Sequence, residues 1–384
     1  MSNGEPTNLI DKNMNIPCYV CGASSFSEVL DNNPSMSSDG QIVDLTISKQ
    51  ECSNCGTVRS SDISFLNDFY KNYYKLNVVN NDPVYIFQGE KMLKSEMHLE
   101  WITKLVGNRI EDCKSIIEIG CGSGNLLNLF EIKDKYGVEP SEKAAKYASA
   151  IAKIRNIGYE EISEKEKYDF IFSSCVIEHT IDPNDFLQKN WHIANDNSII
   201  VIGLPIQDTE SFDVYFLDHL HHFTVNQFVY LCQKNGFTVE NYEVGYKCMT
   251  TMGYFVLRKN ATTLSEIKYE KNHNFYASNV WIENLNTFLK QNTSENLVAF
   301  GYGETSFFYQ SYTQLNSVVN CFIDDVKAKS EENVISVEEA INKNIVKDSF
   351  LILLANPHYH EFLKEKFKTV SGLKFYSPFS NKIS

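Results

Sequence analysis

Long hydrophobic runs are absent from this chain of 384 residues. No apolar stretch approaches the roughly 20 residues that a helix needs to span a bilayer. The first residues, MSNGEPTNLIDKN, lack a basic region followed by an apolar one, so no secretory signal peptide is predicted. We therefore expect a cytoplasmic protein that has no membrane partner.

Positive charge is also scarce. The chain has 35 Lys and Arg against 49 Asp and Glu, which gives a formal net charge of −14 at pH 7. Because nucleic-acid binding depends on clustered Lys and Arg that neutralise phosphates, this balance argues against a nucleic-acid partner. The length allows two or three domains, and the 43% hydrophobic content is enough to build their cores.

A third glycine is missing where a dinucleotide-binding turn requires one. An apolar strand leads into a glycine-rich turn within the segment IIEIGCGSGN, residues 116–125. Such a turn lets a nucleotide approach the backbone closely, because glycine has no side chain. Gly120 and Gly122 fit the pattern G-x-G-x-x-G, but Asn125 takes the last position. The carboxylate of Glu118 favours a positively charged ligand over a pyrophosphate.

Strands and helices alternate after this turn, which implies a parallel sheet. We predict a helix at 126–130, strands at 133–138 and 198–205, and a strand with its exit loop at 168–179. Glu139 ends the second strand, 19 residues after Gly120, where a carboxylate can accept both hydroxyls of a ribose. A Rossmann-type domain that binds another ligand, or none, is the alternative.

The pattern E-x-G-x-G-x-G resembles motif I of the class I S-adenosylmethionine-dependent methyltransferases. It is formed here by Glu118, Gly120, Gly122 and Gly124. The resemblance implies S-adenosylmethionine as cofactor, a ligand that has a sulfonium and an amino group and no phosphate. It assigns cofactor contacts to these four residues and also to Glu139 and Ser174.

Ten cysteines in a chain without a visible secretion signal are more typical of reduced thiols and metal ligands than of disulfides. Four of them form two C-x2-C pairs separated by 30 residues, Cys18, Cys21, Cys52 and Cys55. Four thiolates supply the tetrahedral set that zinc prefers. We predict one structural zinc ion. Free thiols and a redox C-x-x-C are the alternatives. Residues 26–47, between the pairs, alternate like short strands.

The chain divides into five predicted segments. They are a disordered tail at 1–15, a zinc-binding module at 16–65, the methyltransferase domain at 66–258, a helical linker at 259–292 and a second Rossmann-like domain at 293–384. The predicted fold class is therefore α/β, a class I methyltransferase sheet flanked by the two smaller modules. A long helix is expected at 86–106. The turn Gly301-Tyr302-Gly303 of the last domain either holds part of a nucleotide or is scaffolding.

This order of domains resembles the bacterial C-methyltransferases that act on nucleotide-linked deoxysugars. The resemblance rests on the four cysteines, the glycine turn, and the segments Val176 to His179 and FDVYFLDHLHHFT, residues 212–224. It implies a nucleotide-sugar acceptor in surface-polysaccharide or natural-product biosynthesis. The methylated carbon lies next to a keto group, and a base removes its proton to give an enediolate. The family pattern Y-x-E-H is altered here to Phe216, Asp218 and His219.

The resemblance makes His219 the general base, oriented by Asp218, with His179 in contact with the acceptor. Further substrate contacts are assigned to His222 and to a lid of three tyrosines, Tyr70, Tyr73 and Tyr74. Packing of the tyrosines against the zinc module is the alternative for the lid. A structural role for the segment H-x-H-H-F-T is the alternative for its histidines.

Three other functions fit the altered pattern. O- or N-methylation of a sugar or another small acceptor needs only a base and positioning. A non-catalytic scaffold or sensor would keep the fold, although it has no need of the intact glycines and Glu139. A modified S-adenosylmethionine or a non-sugar acceptor is the third. The sequence does not specify the oligomeric state.

Overall fold

The computed structural model describes residues 16–73, 82–87, 90–260 and 263–384, so the predicted tail at 1–15 lies outside the described residues. Within them the chain forms two compact units. One consists of residues 16–30, Ser48–Glu210 and Asp218–His273, and the other of Asp31–Ile47, Ser211–Leu217 and Asn274–Ser384. None of the described helices is long and apolar enough to cross a membrane.

The strands are, in chain order, β1 Phe26–Asn32, β2 Ser35–Ser37, β3 Gln41–Val43, β4 Ile47–Cys52, β5 Val58–Ser60, β6 Val84–Phe87, β7 Glu90–Leu93, β8 Ser115–Ile119, β9 Asp134–Val138, β10 Lys153–Arg155, β11 Tyr168–Ser174, β12 Ala194–Pro205, β13 His221–His222, β14 Phe237–Tyr246, β15 Met249–Lys259, β16 Leu297–Phe300, β17 Phe322–Ile323, β18 Val334–Ile335, β19 Phe350–Leu353, β20 Lys374–Ser377 and β21 Lys382–Ile383. The α-helices are α1 Leu66–Asp68, α2 Lys94–Val106, α3 Asn125–Leu129, α4 Glu142–Ala148, α5 Pro183–Ile193, α6 Val225–Lys234, α7 His273–Gln291, α8 Glu304–Tyr312, α9 Leu315–Val318, α10 Val337–Asn342 and α11 His360–Lys366.

The first unit is built on a seven-stranded sheet in the order β10-β9-β8-β11-β12-β15-β14. The strands from β10 to β12 are parallel, and β15 runs antiparallel to both of its neighbours. This arrangement confirms the predicted class I methyltransferase sheet. Because parallel strands end at the same edge, the glycine turn after β8, Glu139 after β9 and the end of β11 lie along one edge of the sheet.

Apolar side chains cover both faces of this sheet. Ile117 and Ile171 belong to the core cluster on one face, and Ile116 and Phe170 belong to the cluster on the other. A strand that is buried on both faces appears in the sequence as a nearly continuous apolar run. The strands predicted at 133–138, 168–179 and 198–205 are confirmed as β9, β11 and β12.

The helix predicted at 86–106 is wrong in its first part. Strands β6 and β7 pair there as an antiparallel hairpin, and α2 begins at Lys94. The amide of Ser95 donates to Asp82 Oδ1 at 3.0 Å, and the amide of Leu93 donates to Glu96 Oε2 at 3.0 Å. These bonds satisfy backbone groups at the start of a helix and explain why α2 begins at this point.

A four-stranded sheet of the first unit has the order β1-β4-β5-β13 and lies next to the cysteine pairs. Strand β13 runs antiparallel to β5, with His221 opposite Arg59 and His222 opposite Val58. Gly22 and Gly56 end the two cysteine turns with φ of 76° and 78°, a left-handed conformation that favours glycine. Short strands are thus confirmed within 26–47, where β2 and β3 form a separate two-stranded sheet, and β13, from a distant part of the chain, completes the sheet that contains β1.

The second unit contains a six-stranded sheet in the order β18-β17-β16-β19-β20-β21. All pairs in it are parallel except β20 with β21, which agrees with the Rossmann-like domain predicted at 293–384. The amide of Tyr302 donates to Asp324 Oδ2 at 3.1 Å, so the acid after β17 supports the glycine turn. This unit also takes residues 31–47 from the span predicted as the zinc module.

Candidate active site

The glycine turn between β8 and α3 is packed on one side and open on the other. Gly120, Gly122 and Gly124 have φ of 72°, 52° and 79°, which glycine adopts without strain. A Cβ added at Gly120 would lie 2.6 Å from Cγ2 of Val176, whereas one at Gly122 would meet nothing within 4 Å. A ligand can therefore approach the backbone at Gly122.

The carboxylate of Glu139 fixes this turn to the end of β9. Its Oε2 accepts a hydrogen bond from the amide of Gly122 at 2.9 Å, and its Oε1 accepts one from the amide of Ser141 at 2.8 Å. Burial is the main cause that raises the pKa of this carboxyl. Because each carboxylate oxygen accepts more than one hydrogen bond, Glu139 can hold the turn and also receive ribose hydroxyls.

Glu118 places a buried carboxylate directly beneath the turn. The residue is 4% exposed, and its burial raises the pKa well above the usual range. The amide of Leu127 donates to the carboxylate, but Oε2 has no hydrogen-bond partner among the described residues. Because a buried polar atom without a partner is costly, this position fits a cationic ligand group.

Ser174, at the end of β11, is hydrogen-bonded to Tyr254, which is hydrogen-bonded in turn to His98. Neither contact was predicted from the sequence. The phenol oxygen of Tyr254 lies 2.8 Å from Ser174 Oγ and 2.7 Å from His98 Nδ1. Burial lowers the pKa of His98 to about 3, so this hydrogen-bonded chain is uncharged. A Cβ added at Gly203 would lie 2.3 Å from the ring of Tyr254. A glycine inside a strand often marks such a close approach, and Gly203 was the available signal.

Two imidazoles and a carboxylate meet just after β11. The rings of His179 and His219 are in edge contact, with their centroids 4.7 Å apart. Nδ1 of His179 lies 2.8 Å from the backbone oxygen of Asp218 and 3.6 Å from its Oδ2. The structure thus brings the three predicted catalytic residues together. It pairs Asp218 with His179, whereas the sequence-based assignment pairs Asp218 with His219.

Glu178 belongs to the same cluster, and the charges of Glu178 and Asp218 act on Tyr70. Glu178 is 1% exposed, and its backbone oxygen accepts a hydrogen bond from the amide of Leu220 at 2.6 Å. Tyr70 is 44% exposed as a whole residue, but desolvation of its phenol, followed by the charges of Asp218 and Glu178, raises its pKa. Tyr70 is therefore the member of the predicted lid that the electrostatics connect to the histidines. No role was assigned to Glu178 from the sequence, in which it is only part of the segment Val176 to His179.

The remaining residues predicted to contact the substrate are Tyr73, Tyr74 and His222. Tyr73 ends a short π-helical turn at Phe69–Tyr73, and Tyr74 lies outside the described residues. His222 is 1% exposed on β13, with its ring centroid 6.4 Å from that of His219. His222 is therefore a buried neighbour of His219, and it lies in the sheet that also contains β4 and β5.

The four predicted metal ligands Cys18, Cys21, Cys52 and Cys55 converge, with sulfur atoms all within 4.8 Å of one another. The Sγ atoms are 3.7 Å apart for Cys18 and Cys55 and 3.6 Å apart for Cys21 and Cys52. Four thiolates bonded to zinc at about 2.3 Å place their sulfurs about 3.8 Å apart in a tetrahedron. The donor set fits a zinc ion.

Comparisons with known proteins are consistent with this geometry. Residues 93–242 match the profile of a family described as "Methyltransferase domain". None of the curated proteins compared with the chain matches it. The match spans the glycine turn, Glu139, the pair Glu178 and His179, and the segment from Asp218 to His222.

Several solved structures share similarity with part of the chain. An S-adenosylmethionine-dependent methyltransferase from Clostridium acetobutylicum is 10% identical, covers 51% of this chain and 99% of that one, and has a TM-score of 0.37. The mitomycin 7-O-methyltransferase is 14% identical, with 43% and 54% covered and a TM-score of 0.37. The plantazolicin methyltransferase, solved with SAH, is 17% identical, with 43% and 84% covered and a TM-score of 0.36.

The family match and the sheet topology agree with the sequence pattern at the glycine turn. The matched segment contains the strands β8, β9, β11 and β12, whose carboxyl ends form the edge described above. The chain therefore carries a methyltransferase domain at residues 93–242, and it is a methyltransferase enzyme.

Proposed function

We propose that this methyltransferase acts on a nucleotide-linked sugar and methylates a carbon next to a keto group. The observation that carries the proposal is the cluster of His179, Asp218 and His219 at the end of β11, on the edge of the sheet where the glycine turn lies. The charge of Asp218 acts on the phenol of Tyr70. The resemblance of the cysteine module and the histidine segment to sugar C-methyltransferases supports the acceptor class.

The residues at the turn are proposed to bind the methyl donor, which supplies a methyl group on a sulfonium. The open backbone at Gly122 admits the nucleoside, and Glu139 accepts its ribose hydroxyls. The unpartnered oxygen of Glu118 pairs with a cationic group of the donor. Ser174, oriented by Tyr254, completes the contacts at the end of β11.

His219 is proposed to remove the proton from the acceptor carbon. His179 then contacts the acceptor, because its side chain is 22% exposed while Asp218 holds its Nδ1. Proton removal leaves negative charge on the acceptor oxygen, and a phenol positioned nearby stabilises such charge. This chain has Phe216 where the family pattern has a tyrosine, so the phenol at that position is missing. Tyr70 is proposed to supply a phenol instead, because the charges of Asp218 and Glu178 act on it. This phenol favours C-methylation over O- or N-methylation, which needs only a base.

The cysteine cluster is proposed to hold one structural zinc ion. Four thiolates fill a tetrahedral zinc site completely, so no position is left for substrate. The ion then ties the cysteine turn that precedes β1 to the cysteine turn between β4 and β5, and so stabilises both.

Solvent exchange tests the proposed chemistry. A nucleoside-diphosphate-linked keto-deoxysugar is incubated with the enzyme in D2O without the methyl donor, and deuterium in the sugar is measured by mass spectrometry. We expect deuterium at the carbon next to the keto group, because proton removal comes before methyl transfer. His219→Ala should slow this exchange by about 10²–10⁴-fold, the usual contribution of a general base.

The matched control is His192→Ala, because the His192 side chain is 46% exposed on the surface of the same unit. Methyl transfer to the sugar without any exchange would assign the enzyme to O- or N-methylation. Full exchange by His219→Ala would remove the base assignment.

A further inference from the structure

Glu178, His179 and His219 form a second group of potential metal ligands in the part of the chain that the structure describes. One ligand atom from each residue lies within 4.8 Å of the other two. Glu178 is 1% exposed and His219 is 5% exposed. The group therefore combines two imidazoles and one carboxylate inside the fold.

Hydrogen bonds hold the two chain segments that carry these side chains. The amide of Leu220 donates to the backbone oxygen of Glu178 at 2.6 Å, and the amide of His179 donates to the backbone oxygen of Val176 at 3.0 Å. The ammonium of Lys49 donates to the backbone oxygen of His219. Because these bonds join groups of the protein itself, an ion that binds here has little ordering to impose.

The hydrogen bond of His179 selects the tautomer that a metal requires. Nδ1 of His179 lies 2.8 Å from the carbonyl oxygen of Asp218, and a carbonyl oxygen can only accept. Nδ1 therefore carries the proton, and Nε2 offers its lone pair. Metal-binding histidines are commonly held in this way by a carbonyl or a carboxylate.

We infer that Glu178, His179 and His219 bind a divalent transition-metal ion when the acceptor is absent. Two imidazoles and one carboxylate are the ligands of some catalytic zinc sites and of non-haem iron sites, which keep positions open for water. The nitrogen and oxygen donors distinguish this site from the four sulfurs of the cysteine cluster.

The bound ion has a predictable effect on methyl transfer. A ligand histidine must be neutral, and its lone pair is then occupied by the metal instead of by a proton. Under the proposed function, on which this effect alone rests, the ion keeps His219 from acting as a base and inhibits the enzyme. Binding of the ion itself depends neither on the acceptor nor on the type of methylation.

Calorimetry with Co²⁺ at pH 7 tests the inference, on protein whose cysteine cluster has been filled with zinc. We expect one equivalent of Co²⁺ to bind, with the weak visible absorption of nitrogen and oxygen ligands. Glu178→Gln and His179→Gln should each weaken this binding by more than about tenfold. Glu111→Gln changes an exposed glutamate and should bind Co²⁺ like the unmodified enzyme. Unchanged affinity for S-adenosylmethionine shows that each variant is folded.

Three results would overturn the inference. The first is no uptake of Co²⁺ beyond the zinc already present. The second is equal binding by Glu178→Gln and the unmodified enzyme. The third is an intense thiolate-to-cobalt absorption band, which would mean that Co²⁺ had replaced zinc at the cysteines. Failure to methylate a sugar would change none of these readings, so the two proposals fail separately.

Discussion

The buried ammonium of Lys49 donates a hydrogen bond to the backbone oxygen of His219. Lys49 is 0% exposed on β4, the strand that ends at Cys52, and its Nζ also lies 3.1 Å from Ser60 Oγ. Strand β13, which contains His221 and His222, pairs with β5 of the same sheet. The sheet beside the cysteines therefore supports the backbone of the histidine segment.

Replacing Lys49 should impair turnover more than donor binding. Lys49→Met keeps an unbranched side chain but leaves the carbonyl of His219 without its charged donor. A hydrogen bond to a charged group contributes about 1.5–3 kcal/mol, so we expect kcat to fall by about tenfold or more. Steady-state kinetics and calorimetry with S-adenosylmethionine measure the two effects. Lys165→Met changes an exposed lysine and serves as the control. An equal loss in kcat and in donor affinity would contradict this role.

Loss of a proposed zinc ligand should likewise impair turnover more than donor binding. We expect Cys52→Ser to lower the zinc content, because a four-thiolate site loses one ligand. We expect turnover to fall as well, since Cys52 and Lys49 share β4. Elemental analysis and kinetics measure these changes, and Cys113→Ser, outside the cluster, is the control. Protein that contains no zinc when purified without chelators, yet is fully active, would refute the zinc assignment.

Removal of the Glu139 carboxylate should weaken donor binding selectively. Glu139→Ala loses the acceptor for the amides of Gly122 and Ser141 as well as the proposed ribose contact. At about 1.5–3 kcal/mol for a charged hydrogen bond, the Kd for S-adenosylmethionine should rise roughly tenfold to a hundredfold. Calorimetry measures this change, with Glu142→Gln as an exposed control on the following helix. Unchanged affinity would show that Glu139 does not contact the donor.

Donor affinity should fall as the pH is lowered. The pKa of Glu118 is raised by burial, so its carboxylate takes up a proton at a higher pH than an ordinary glutamate, whose pKa is about 4.3. Protonation removes the negative charge that a cationic donor needs, and the Kd rises as the pH falls through this raised pKa. Calorimetry from pH 8 to pH 5.5 should show a shallower slope for Glu118→Gln. Parallel slopes for both proteins would exclude Glu118 as the cause.

Stability should also decrease on acidification, because His98 is buried in its neutral form. Its pKa is about 3 in the folded protein and about 6.5 in an unfolded chain, so the unfolded state binds the additional proton between these values. The free energy of unfolding should therefore fall by about 2 kcal/mol from pH 7 to pH 5 through this residue. Urea unfolding should show a smaller pH effect for His98→Gln. His192→Gln, with its exposed side chain, should retain the full effect.

The sequence was most informative where local chemistry determines the structure. The three glycines and Glu139 could be placed because each meets a backbone or ligand requirement within one strand–turn–helix unit. The start of α2 was misplaced because Asp82 caps it from outside the helix. The contacts of Tyr254 with His98 and Ser174 join residues 156 and 80 positions apart. Gly203 could signal a close approach to its strand, but no local pattern shows which residues make these contacts. The pairing of Asp218 with His179 was missed for the same reason.

Because β13 pairs with β5, methyl transfer should depend on the N-terminal sheet, whereas donor binding should not. A chain shortened to begin at residue 66 would keep the glycine turn, Glu139 and Glu118, but its histidine strand would lose its neighbour in the sheet. Such a chain should still bind the donor and yet transfer no methyl group. Inactivating substitutions between residues 48 and 60 should then act through the proposed catalytic histidines, and not through a separate module.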